Sequence, residues 1–268
     1  MKSINRFFTL VLCTLSVCVL LSTSAFAQPG HLVPVGGGAL DNAFMLKFLS
    51  LSKVREPRVL IIPYAAKDIN TYLKKTQDSF QKAGVKDIRV LDLSDSQQAA
   101  KVIEESDIIW MSGGGQVRLR KALEKAGVAD VIRKKHAEGT LIGGTSAGAS
   151  VQTDVMMASS KRDPETKVLI PTLSYGLKLW PEVIIDQHFS ERKRLERLET
   201  AVKRHPNLVG IGIDESTGVV YGGDHKFTVI GKGTVTVLRA TTPQADKDNV
   251  ELKKIILKAG DAYDLKGE

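Results

Sequence analysis

Ser146 stands where a nucleophile would. The stretch Leu141–Ser150, LIGGTSAGAS, is an apolar run that meets two glycines, a serine and a series of small residues. Gly144-Thr145-Ser146-Ala147-Gly148 within it fits the G-x-S-x-G nucleophile elbow. Such a serine performs acyl transfer: its hydroxyl attacks a carbonyl, and the unpaired N–H groups that open the following helix receive the oxyanion. The turn is tight, so its neighbours must be small. The plain alternative is a glycine-rich turn whose serine only caps a helix.

A serine nucleophile needs a base, and the base needs an orienting acid. The chain has five histidines. His31 opens a strand, His136 ends a basic helix, His205 precedes Pro206 in a turn, and His225 sits in the glycine-rich turn Gly222–His225. His188 alone closes an apolar strand. Glu215 follows the apolar run Val209–Ile213 and Asp214. A carboxylate there can accept the imidazole N–H and fix its tautomer. Asp214 competes for that role, because periodicity does not separate adjacent residues.

These residues need elements to carry them. Apolar strands over His31–Val35, Arg58–Tyr64, Asp87–Leu93 and Asp107–Met111, and the run into Ser146, alternate with helices over Asn42–Leu51, Asn70–Ala83, Ser96–Glu105, Gln116–Lys125 and Ala129–Ala137. Asp41 is placed to cap the first helix. Five alternations predict an α/β fold, a doubly wound, mostly parallel sheet with helices on both faces, and ligands at the carboxyl ends of its strands. The glycine turns Gly36–Gly38, Gly113–Gly115 and Gly143–Gly144 fall at those ends and should gather on one edge. After Ser150 the pattern changes. Met157–Thr172 reads as an irregular loop or flap, Glu182–Asp186 as a strand, Ser190–Arg204 as a strongly basic helix, and Leu208–Asp214 as a strand. Gly218–Tyr221, Lys226–Ile230 and Thr234–Arg239 read as extra antiparallel strands, with a further edge strand over Val250–Leu257.

Met1–Ala27 reads as a secretory signal peptide. Lys2 and Arg6 form its positive end, Phe7–Leu21 is too short for a comfortable membrane span, and Ala25-Phe26-Ala27 is a cleavage site. The expected product is exported to the periplasm or the medium, starts at Gln28 and has no membrane association after cleavage. Residues 28–268 suit a single α/β domain. Both cysteines, Cys13 and Cys18, lie in the leader, which leaves the remainder without a disulfide, a thiolate nucleophile or a Cys-ligated metal. The formal net charge of +8 drops by two with Lys2 and Arg6. That mild excess speaks to solubility and steering, and no aromatic-interleaved basic run suggests nucleic acid.

The motifs together resemble the serine peptidases that include cyanophycinases and aspartyl dipeptidases, over about Leu32–Ile230. The resemblance rests on Gly143–Ala149, on Asp186–Leu198 (DQHFSERKRLERL), on Gly210–Glu215 (GIGIDE), and on Ser112–Gln116 (SGGGQ), which is similar to the family's Gly-Gly-Asp-Gln turn. The block around His188 is closer to cyanophycinases. The resemblance implies a fold like that of class I glutamine amidotransferases and a Ser–His–Glu triad carried by Ser146, His188 and Glu215. The order Ser, His, acid also separates the chain from α/β-hydrolases, where the acid precedes the histidine; Asp214 with His225 would mimic that order.

The implied activity is hydrolysis of β-aspartyl peptide bonds through an acyl-enzyme, with cyanophycin (β-Asp-Arg) the leading substrate. An aspartyl or isoaspartyl dipeptidase is the nearest alternative, and a catalytically silent peptide-binding protein is the alternative of another class. Ala147 supplies one oxyanion N–H because it follows the nucleophile, and Gly114 or Gly115 supplies a second. Arg192, Arg194 and Arg197 match arginines that cyanophycinases place near substrate, and with Gln116, Asp186 and Gln187 they form the expected substrate-binding set. On one helix Arg194 and Arg197 lie within about 60° of each other, whereas Arg192 joins them only from a turn before the helix. If the arginines converge they make a carboxylate clamp. Gly115 departs from the pattern, which has an acidic residue there, and this bears on substrate identity more than on catalysis. No metal or organic cofactor is required. The expected partners are a peptide or cyanophycin substrate and a second copy in a homodimer.

Overall fold

The computed structural model describes residues 28–241 and 250–267; the expected leader lies outside them. The first half alternates strand and helix. In chain order it contains β1 (Leu32–Val35), α1 (Asn42–Leu49), β2 (Arg58–Ile62), α2 (Ile69–Lys82), β3 (Asp87–Val90), α3 (Ser96–Glu104) and β4 (Ile108–Met111). Then follow α4 (Gln116–Lys125), α5 (Ala129–Ala137), β5 (Leu141–Thr145) and the single turn α6 (Ala147–Ser150). Asp41, Asp68 and Asp95 cap α1, α2 and α3, each accepting N–H bonds from the first turn.

The five strands form a parallel array in the order β1-β5-β4-β2-β3. Their side chains alternate between two cores. Val33, Val35, Val59, Ile61, Ile108 and Trp110 meet Phe44 and Phe48 of α1 and Phe80 of α2. Leu32, Leu60, Ile62, Ile109, Met111 and Ile142 meet α3, α4 and α5 on the opposite face. A strand buried on both faces is apolar at every position, which is why these strands read as continuous runs. Each fully buried large side chain contributes about 1.5–3 kcal/mol relative to exposure.

The second half builds β6 (Val155–Arg162), β7 (Leu169–Tyr175), β8 (Val183–Gln187), α7 (Leu195–Arg204), β9 (Val209–Ile213), β10 (Thr217–Tyr221), β11 (Lys226–Gly231), β12 (Thr234–Ala240), β13 (Leu252–Lys258) and β14 (Ala262–Asp264). β10, β11 and β14 extend the main sheet beyond β1 as antiparallel strands, giving eight in all. β8 and β9 belong elsewhere. They pair in parallel within a separate four-stranded sheet, β13-β12-β9-β8. The strand carrying His188 is therefore not part of the sheet carrying Ser146. Its outer face packs α7 through Ile184, Leu198, Ala201, Val202 and Leu238.

Two expectations are corrected. Met157–Thr172 is not irregular: β6 and β7 pair as an antiparallel hairpin with its turn near Asp163, whose carboxylate accepts the Glu165 and Thr166 N–H groups. Much of the hairpin is solvated, so it lacks the apolar alternation that marks a half-buried strand. The basic helix starts at Leu195 rather than Ser190. Lys193 sits at φ 49°, which no helix accommodates, and the Ser190 N–H is taken by the Asp214 carboxylate. Among the described residues no helix is long and apolar enough to cross a membrane.

Candidate active site

Ser146 stands at the apex between β5 and α6 with φ 54° and ψ −106°, outside the regions a side-chain-bearing residue ordinarily occupies. Such a backbone costs on the order of 1–3 kcal/mol and persists where its surroundings over-determine it. Here the Ser146 N–H donates to the Val35 carbonyl at 2.8 Å. Gly144 and Gly148 let β5 and α6 touch: a Cβ on Gly144 would come within 2.4 Å of the Gly148 carbonyl oxygen.

His188 leaves the end of β8 with φ 48°. Its Nε2 lies 3.0 Å from Ser146 Oγ and its Nδ1 2.5 Å from Glu215 Oε1. The loop after β1 stitches the parts together. The Gly36 carbonyl accepts the His188 N–H at 2.7 Å and the Gly37 carbonyl accepts the Ser216 N–H at 2.8 Å. Gly37 lies directly beneath the ring, where a Cβ would sit 2.2 Å from His188 Cε1. Burial lowers the His188 pKa most; the Glu215 bond opposes that, and the charges of Arg192 and Arg194 add to it.

Asp214, the competing acid, is turned away. It accepts from the Ser190 N–H at 3.0 Å, the Thr234 N–H at 3.0 Å and Thr234 Oγ1 at 2.6 Å. Burial pushes its carboxyl upward, and these bonds outweigh burial to hold it below the usual range. The other histidines lie elsewhere. His136 bonds the Gly30 carbonyl, and His225 pairs with Glu182 at the far end of β8.

Ala147 opens α6, so no intrahelical carbonyl lies behind its N–H. Gly113 lies against the serine, a Cβ there being 3.5 Å from Ser146 Cβ. Gly115 is not an oxyanion donor: its N–H donates to the Ala65 carbonyl at 2.8 Å. Gly114 has φ 132° and contacts Ala65, where a Cβ would fall 1.9 Å from the carbonyl oxygen, so the position admits only glycine.

The expected substrate set divides. Asp186 is fully buried and holds the Arg197 guanidinium, with Nε 2.6 Å from Oδ2 and a second bond to Oδ1. Arg197 reaches Ser160 Oγ on the hairpin at 3.1 Å. Asp186 and Arg197 thus form an internal ion pair rather than a free clamp. Gln116 is also buried; its amide donates to the Met157 and Ala158 carbonyls and pins the hairpin. Gln187 stays beside Ser146, its Oε1 3.3 Å from Ser146 Oγ and 3.0 Å from Arg194 Nη1. Burial pushes Arg194 down to about 10, which leaves it charged at neutral pH. Arg192 lies in the turn before α7, is exposed, and has no carboxylate partner among the described residues.

A cavity of about 340 Å³, lined by Gly38, Tyr72, Trp110 and Thr145 among others, lies behind the elbow. A larger one of about 550 Å³, lined by Leu46, Arg58 and Asp87 among others, lies at the opposite end of the strands, away from the serine. Among the described residues no group of three or more His, Cys, Asp or Glu is gathered as a metal site. Sequence reasoning missed the stitching role of Gly36 and Gly37; their position at a strand end was the available signal.

Comparison with known proteins shows the family and the fold. The sequence model of peptidase family S51 matches residues 35–229. The chain is 35% identical over 216 residues to a cyanophycinase of Geminocystis herdmanii, covering 77% of this chain and 79% of that protein. It is 25% identical over 211 residues to peptidase E of Haemophilus influenzae, covering 75% and 89%. Among solved structures, a peptidase from an acI-B1 Actinobacterium shares the fold with a TM-score of 0.66 at 21% identity, over 89% of this chain and 98% of that one.

Proposed function

Since the chain belongs to peptidase family S51 and is a serine-type peptidase, we propose that it hydrolyses β-aspartyl peptide bonds with Ser146, His188 and Glu215 as its catalytic residues. The observation that carries this is the hydrogen-bonded line from Ser146 Oγ through the His188 ring to Glu215 Oε1. Ser146 Oγ attacks the scissile carbonyl carbon while His188 Nε2 takes its proton. Glu215 accepts the Nδ1–H, which fixes the tautomer and stabilises the imidazolium. The oxyanion receives the Ala147 and Gly114 N–H groups. Collapse breaks the C–N bond, His188 gives its proton to the departing amine, and an acyl ester remains on Ser146. Water, deprotonated by His188, attacks that ester and releases the acid.

Gln187, backed by Arg194, orients the aspartyl part, and Arg192 supplies charge at the rim. Cyanophycin, with its β-Asp-Arg units, is the leading substrate, supported by the similarity to cyanophycinases. A dipeptidase for aspartyl or isoaspartyl peptides is the second reading, favoured by the similarity to peptidase E. Residues 1–27 would direct export, leaving 28–268 as one peptidase domain; the N-terminus of the exported protein should be Gln28. The deciding experiment incubates the protein with cyanophycin, β-Asp-Arg and α-Asp dipeptides and reads products by mass, beside a Ser146→Ala control. The control should lose turnover by several orders of magnitude while keeping its circular dichroism spectrum. Equal turnover by Ser146→Ala would remove the serine mechanism.

A further inference from the structure

Arg118 lies in the first turn of α4, directly after the oxyanion turn. Its guanidinium donates to the Ala65 carbonyl, and that is its hydrogen bond among the described residues; no carboxylate there pairs with it. An arginine has five N–H donors in a planar fork, so most remain open, and the side chain is exposed. The carbonyl it uses is the one that accepts the Gly115 N–H and presses against Gly114. The cation is therefore tethered one hydrogen bond beyond a carbonyl in contact with Gly114, roughly 6 Å from it. Gly115 contributes the vacancy that keeps this cation unpaired. A Cβ at 115 would stand 3.5 Å from Arg118 Cζ, so any carboxylate side chain there would meet the fork.

Resting on the β-aspartyl reading above, we propose that Arg118 is a specificity residue that binds a free carboxylate on the leaving-group side of the substrate. The chemistry is that of a bidentate guanidinium–carboxylate pair. A β-aspartyl peptide ending in a free α-carboxyl presents that group just past the scissile nitrogen, on the order of two bonds beyond it. Arg194 is held by Asp186 and Gln187, and Arg192 stands in the turn before α7 on the His188 side, so Arg118, beside Gly114, is the cation assigned to this second carboxylate. The preferred substrates are then peptides whose residue after the β-linkage carries a free carboxyl group, as the arginine of β-Asp-Arg does.

The test is a titration followed by kinetics. Ser146→Ala protein is titrated calorimetrically with β-Asp-Arg and with its carboxamide, with Arg118 intact and as Arg118→Gln. The acid should bind about tenfold or more tightly than the amide when Arg118 is present, and that preference should fall below about threefold in Arg118→Gln. Gly115→Asp, which sets a carboxylate beside the guanidinium, should suppress the same preference with Arg118 still in place. Equal affinity for acid and amide, binding of neither, or a preference that survives Arg118→Gln overturns the proposal. Turnover by the intact protein judges the underlying reading separately. Hydrolysis of both peptides without an acid preference leaves the peptidase and removes Arg118. Hydrolysis of neither removes the β-aspartyl reading, and the titration still decides on Arg118.

Discussion

Adjacent carboxylates in this chain have separate duties. The Glu215 carboxylate bonds the His188 ring, whereas that of Asp214 ties the turn before α7 to the start of β12 through three accepted hydrogen bonds. Glu215→Gln should cut kcat by about 10³–10⁴-fold because the ring loses its fixed tautomer. Asp214→Asn should instead act on stability, by about 1–3 kcal/mol. Steady-state kinetics with chemical denaturation checks both; a larger kcat loss in Asp214→Asn would reverse the assignment. A second expectation concerns pH. His188 must be neutral to accept a proton, and burial foremost, with help from the Arg192 charge, lowers its pKa. The acid limb of kcat/KM should therefore lie below the ordinary histidine range, with activity lost as pH falls through it. Arg192→Gln removes a cation that disfavours the imidazolium, so the His188 pKa rises and the limb moves to higher pH. A pH–rate profile that stays put or moves the other way would show that this charge does not reach the ring.

At the level of elements, the strands and helices of the first half were legible because each is buried on a defined face and punctuated by caps or glycine. The neighbourhood of Ser146 and His188 was readable for a related reason: each follows an apolar strand that ends abruptly in a polar residue, and the structure brings the two side chains within 3.0 Å. The hairpin β6–β7 was not legible, since its stability comes from tertiary ties that leave no periodic trace. Gln116 holds it from α4, and Arg197 holds it from α7. The expected substrate set divides at the same point, with Asp186, Arg197 and Gln116 in internal bonds and Gln187 and Arg194 beside Ser146. A run of arginines looks alike whether its charges face water or a buried Asp186, and only the left-handed residue at Lys193 redirects the chain so that Arg197 turns inward while Arg192 stays out. The choice between Asp214 and Glu215 depended on the facing of β9, which alternation in an all-apolar strand cannot reveal.

Across the whole molecule, the hydrogen-bonded line from Ser146 through His188 to Glu215 crosses a joint between sheets. Ser146 follows β5 of the eight-stranded sheet, while His188 and Glu215 follow β8 and β9 of the four-stranded one. Heating that loosens the smaller sheet should abolish turnover while the parallel core still holds its helices. The midpoint for residual activity is expected below that of far-ultraviolet circular dichroism; coincident midpoints would show that the two sheets open as one cooperative unit. The same joint bears on the birth of the protein. Synthesis delivers the serine more than forty residues before the histidine, as their separation of 42 positions requires. On the proposed mechanism, Ser146 is an ordinary alcohol until β8 and β9 have docked, and the growing chain is harmless to itself and its neighbours. Latency, which many hydrolases obtain from an added inhibitory segment, would on that mechanism be a by-product of how the chain divides Ser146 from His188 and Glu215.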